Sequence, residues 1–84
     1  MSLAEIEKII KKKGLKINVL PNGVIIAIKD NVAFVQISAI RDVYYIRYLT
    51  KNEAYIIRNL NEKIIELILE EKLDETEAIK IPDV

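Results

Sequence analysis

The sequence predicts a small α+β domain: an N-terminal helix, a four-stranded antiparallel meander sheet and a long C-terminal helix, in the order α-β-β-β-β-α. Three observations predict it. Apolar residues recur at helical spacing near the two ends of the chain. The stretch between, residues 15–49, is dense in Val, Ile, Tyr and Phe, which favour strands. Pro21-Asn22-Gly23, Asp30-Asn31 and Arg41-Asp42 divide that stretch into runs of strand length.

Ser2 and Glu5 have capping-box spacing, and Leu3, Ile6, Ile9 and Ile10 form one apolar face. Lys11, Lys12 and Lys13 suit the negative end of the helix dipole, and Gly14 suits its stop. The strands are expected near 15–20, 24–29, 32–40 and 43–49. Asp30-Asn31 fits a two-residue hairpin turn, and Arg41-Asp42 is a weaker turn because neither residue favours positive φ. Thr50 and Glu53 offer a second capping box, and a helix is expected over residues 51–73. Residues 74–84 read as an acidic tail holding one short edge strand at "AIKI" or none. The 84 residues form a single domain.

Composition narrows the function classes. Cys and His are both absent, which removes disulfides, thiolate metal sites and the commonest general base. Ser2 and Ser38 have no base to activate them. Glu62, Glu66 and Glu70 lie at i, i+4 spacing, the pattern of a solvated helix face. The expectation is a protein that is not an enzyme, with no metal and no cofactor. No signal-peptide pattern or membrane-length apolar run is present, so a cytoplasmic protein is expected. Abundant Ile, Lys and Glu with little Gln is the mix of hyperthermophile proteins, and equally of an AT-rich genome. Net charge is zero but split: residues 1–50 carry eight cations and four acids, residues 51–84 five cations and nine acids.

Sorting the strands by face gives the functional expectation. With both two-residue turns in place, Ile28 pairs with Ala33, Ile26 with Val35, Ile37 with Ile46 and Val35 with Tyr48. Val24, Ile26, Ile28, Val35, Ile37, Ile46 and Tyr48 then face the helices. The opposite face presents Lys16, Asn18, Lys29, Phe34, Gln36, Tyr45 and Arg47, with Ile25, Ala27 and Ser38 beside them and no acidic residue. Aromatic rings stack on unpaired bases and cations follow phosphates, so this face predicts single-stranded nucleic-acid binding. Phe34 and Tyr45 would be platforms, Lys16, Lys29 and Arg47 phosphate contacts, and Asn18 and Gln36 readers of base edges. Two other readings compete. The face is buried against a second copy, in a homo-oligomeric interaction module, or it is covered by "AIKI".

The expected long helix also bears on assembly. Ile57, Leu60, Ile64 and Leu67 follow a heptad seam, with Ile68 widening it, so these five are the candidate oligomerisation residues of a homodimer or higher homo-oligomer.

A leading helix, a four-stranded antiparallel sheet and a long apolar-seamed closing helix, over roughly residues 3–73, resemble the ThermoDBP-type single-stranded DNA-binding proteins of archaea. The resemblance is one of order and character. It implies an apolar and basic cleft that holds the strand and a C-terminal zipper that joins subunits.

Overall fold

A computed structural model describes residues 1–82. The chain is α+β, as expected, with two helices on one face of an antiparallel sheet. The sheet has six strands rather than four, and the second helix is not C-terminal. The elements are α1 (Leu3–Lys12), β1 (Lys16–Leu20), β2 (Val24–Lys29), β3 (Val32–Ile40), β4 (Val43–Tyr48), β5 (Glu53–Ile57), α2 (Glu62–Leu69) and β6 (Ile79–Ile81). Spatial order follows chain order from β1 to β6, every pair antiparallel.

α1 forms as its capping box requires. The Ser2 hydroxyl accepts from the Glu5 amide at 3.2 Å, and the Glu5 carboxylate accepts from the Ser2 amide at 3.1 Å. Asp30 and Asn31 both adopt positive φ (52° and 63°), the backbone of a primed hairpin turn. Arg41 is also at positive φ (53°), so that turn forms despite its residue type. Beyond Tyr48 the chain turns at residues 49–52 and pairs again as β5, so Thr50 caps no helix. Tyr55, Ile56 and Ile57 are aromatic and β-branched, and a strand between β4 and β6 suits them better than a helix. The helix starts later, at Asn61, whose side-chain oxygen accepts from the Ile64 amide at 2.8 Å. The expected tail is tied down too. Asp74 and Glu77 close a turn (Thr76 amide to Asp74 Oδ1 2.8 Å, Asp74 amide to Glu77 Oε1 2.9 Å), Ala78 is buried and β6 completes the sheet.

The pairing of β2 with β3 carries the main correction. Lys29 pairs with Val32 and Ile28 with Ala33, as the turn dictates, but the next rung is Ala27 with Val35. Phe34 is an extra residue in β3, a β-bulge. Every rung past it is moved by one, and in a strand a one-residue slip exchanges the faces. Ile25 and Ala27 therefore point to the helices and are buried, while Val24, Ile26 and Ile28 point away. The β3–β4 pairs fall where expected, including Val35 with Tyr48 and Ile37 with Ile46.

The core lies between the helices and this inner face. Ile6, Ile9 and Ile10 from α1 and Ile65 and Ile68 from α2 meet Ile25, Phe34, Val35, Ile37, Ile46, Tyr48, Tyr55 and Ile57. Tyr48 and Tyr55 meet edge to face, with centroids 6.2 Å apart. The Cα extents are 28 × 25 × 24 Å, close to the roughly 24 Å width of six strands at about 4.8 Å spacing.

Candidate interaction face

The outer face of the sheet is built from cross-strand rows. The first runs Asn18, Ile26, Gln36, Arg47, Ala54, Ile81, each residue paired with the next. The second runs Leu20, Val24, Ser38, Tyr45, Ile56, Ile79. Lys16 and Ile28 begin a third that the bulge interrupts. Both full rows cross all six strands, and neither contains an acidic residue. The face is much more aliphatic than the sequence pattern suggests, because the bulge turns three β2 residues outward and β5 and β6 add Ile56, Ile79 and Ile81.

The predicted site residues divide accordingly. Lys16, Asn18, Gln36, Tyr45 and Arg47 stand on the outer face as expected. Phe34, expected outward as a stacking platform, is 7% exposed and belongs to the core, because the bulge turns it inward beside Val35. Lys29 lies past the bulge on the helix side, where it shares a groove with Lys13 and Glu66. The heptad seam does not exist as a seam. Ile57 is a buried strand residue, Leu60 precedes the helix, and Ile68 is buried in the core, so only Ile64 and Leu67 remain as half-exposed helix positions. With eight residues and a strand after it, α2 offers no zipper of the kind the archaeal resemblance implies. Sequence reasoning missed Val24, Ile26, Ile56 and Ile79 on this face. The signal for the last two was the alternation of "EAYII" and "AIKI".

Polar groups on the face are few and partly matched. Gln36 Nε2 donates to Ser38 Oγ at 3.0 Å. Arg47 sits between Gln36 and Ala54, two residues along β4 from Tyr45, and takes part in none of the ion pairs among the described residues. Concavities lie at the two margins of the face. One of about 440 Å³ is lined by Lys13, Lys16, Lys29 and Asp30 among others, and Lys13 there is already tied to Glu66. One of about 390 Å³ lies between the start of α2 and the turn before β6, bordered by Ile56 and Ile79 of the outer face and by Glu75 and Glu77. Among the described residues no group of His, Cys, Asp or Glu is placed to hold a metal ion, and no helix is long and apolar enough to cross a membrane.

The site defines an antiparallel sheet with one covered and one open, apolar, acid-free face. Comparison with protein-family models, curated proteins and solved structures returns no match.

Proposed function

We propose that this protein is a homo-oligomeric interaction module that buries the outer face of its sheet against another copy of itself. The observation that supports the reading is the pair of six-residue rows, in which Leu20, Val24, Ile26, Ile56, Ile79 and Ile81 outnumber the polar side chains. Antiparallel sheets with one wet face alternate apolar-in with polar-out. Here both sides of β2 are apolar, the pattern of a strand covered on both faces. Six strands at about 4.8 Å spacing and about 17 Å length present roughly 400 Å² in projection, the size of the largest surface patch of an ordinary monomer, which is often functional. Tyr45 and Arg47, the residue types enriched in interfaces, sit near its centre.

Sedimentation equilibrium tests the reading on three chains: wild type, Ile26→Asp and Ile56→Asp. Both substituted side chains are half-exposed, so the subunit keeps its core. The wild type sediments as an oligomer and each substitution at least halves the particle mass. An unchanged mass contradicts the reading.

A second reading keeps single-stranded nucleic acid as the occupant. It is supported by the adjacency of Tyr45, Arg47 and Gln36 and by the lack of acids beside them. Titration with fluorescent oligo-dT at low and high salt decides it. Salt-sensitive binding weakened by Tyr45→Ala and by Arg47→Ala supports it, and no binding at low salt removes it.

A further inference from the structure

The free edge of the sheet at β1 has a composition that fits a second copy of β1. β1 pairs only with β2 among the described residues, so one side of its backbone has no strand beside it. Exposed edges are templates for pairing, and natural sheets blunt them with bulges, prolines, charges or short strands. The opposite edge is blunted: β6 has three residues, and Pro82 follows it. β1 is not. It has five residues in unbroken register with β2, no proline and a single charge, Lys16, at its first position.

We propose that two copies join along β1, antiparallel, with the two-fold axis through Asn18 and normal to the sheet. That register places Asn18 opposite the partner's Asn18, Ile17 opposite the partner's Val19 and Lys16 opposite the partner's Leu20. No like charges meet, whereas a register centred on Lys16 brings two ammonium groups together. Val19 and Leu20, 49% and 38% exposed in the single chain, gain cross-strand neighbours. An axis normal to the sheet keeps both outer faces on the same side. The joined pair carries one twelve-stranded surface of roughly 800 Å² in projection, the contribution per partner of a standard stable interface, where one chain alone supplies about half of that. The use of the doubled surface rests on the face-burial reading. The edge pairing itself rests on β1.

The chain has no cysteine, so single thiols report position cleanly. The experiment cross-links Asn18→Cys with a short bis-maleimide, in the otherwise wild-type chain and again with Ile56→Asp, which disables the face contact. Asn52→Cys, on the exposed β4–β5 turn, measures collision. The expected result is cross-linked dimer from Asn18→Cys in both backgrounds, at a yield at least about tenfold above Asn52→Cys, as local concentration near a dyad dictates. A mixture of Lys16→Cys and Leu20→Cys chains forms the mixed dimer, and Lys16→Cys alone stays at the collision level. Cross-linking of Asn18→Cys that disappears with Ile56→Asp assigns the contact to the face and overturns the edge pairing. Collision-level yield in both backgrounds overturns it as well. The mass measurements above separately decide the face reading.

Discussion

The hydroxyl of Tyr48 donates to the backbone carbonyl of Ile68 at 2.7 Å, joining the last residue of β4 to the final turn of α2. Tyr48 is 2% exposed, and burial drives its phenol pKa well above the ordinary value, with the negative charge of nearby Glu71 adding to the shift. The Lys51 ammonium lies 4.8 Å from its ring centre. This contact adds a directional bond to the apolar packing of Ile65 and Ile68 that holds the short helix on the sheet.

Tyr48→Phe removes that bond and nothing else of size. The Ile68 carbonyl still accepts from the Glu71 amide at 3.1 Å, so it is not orphaned, and the loss is about 0.5–1.5 kcal/mol. Urea unfolding measures it. Tyr48→Ala adds a cavity and costs about 3–5 kcal/mol.

The bulge predicts opposite fates for two adjacent isoleucines. Ile25 is fully buried, so Ile25→Ala costs about 2–5 kcal/mol of subunit stability. Ile26 faces outward, so Ile26→Ala costs the subunit well under half of that and weakens assembly instead. Unfolding and sedimentation of the two variants side by side check the pairing. A larger loss from Ile26→Ala than from Ile25→Ala places the β2–β3 register back where a bulge-free hairpin would put it.

Asn61→Ala removes the cap of a helix with only eight residues. The expected loss is about 0.5–2 kcal/mol, with fraying of the first turn of α2 visible as faster amide exchange at Ile64.

Acid sensitivity has a defined sign. Glu66 is held below the ordinary carboxyl value of 4.5, first by its hydrogen bond from Lys13. Glu53 is lowered by the Tyr55 hydroxyl, Glu5 by its Ser2 cap and Asp74 by Thr76. In each case the unfolded chain binds the proton more tightly, so the stabilisation is present above the unfolded value and is lost as pH falls through the lower folded value. Lys13 is raised, first by its hydrogen bond to Glu66, so its share persists through neutral pH and is lost as pH climbs from the unfolded value of 10.5 through its raised folded value. Unfolding followed from about pH 7 to about pH 3 should show falling stability, with a shallower slope for Glu66→Gln. The effect of that pair is small and salt-sensitive, since both groups are at the surface.

The class of fold, α1 and the first four strands were legible because each rests on local chemistry: a capping box, strand-forming residues and turn residues. Arg41-Asp42 was legible only by strand spacing, since Arg41 takes positive φ against its preference. Residues 53–57 were misread because a capping box at Thr50 and the apolar spacing of Ile57, Leu60 and Ile64 mimic a helix start. The competing cap at Asn61 was present in "NLNEKI" and proved the stronger. The bulge at Phe34 was not legible, because "AFVQI" alternates with either register and only packing against the helices decides which of Phe34 and Ala33 turns inward. Tyr45 and Arg47 lie beyond the bulge's reach on β4, and their outward direction followed from the Arg41-Asp42 turn alone.

Burial of the outer face against another copy is tested most directly by isotope-filtered NOE spectroscopy on a one-to-one mixture of labelled and unlabelled chains. The account predicts intermolecular cross-peaks among the methyl groups of Val24, Ile26 and Ile56 and the ring of Tyr45. A filtered spectrum without those residues, from a sample that still shows their intramolecular cross-peaks, contradicts it.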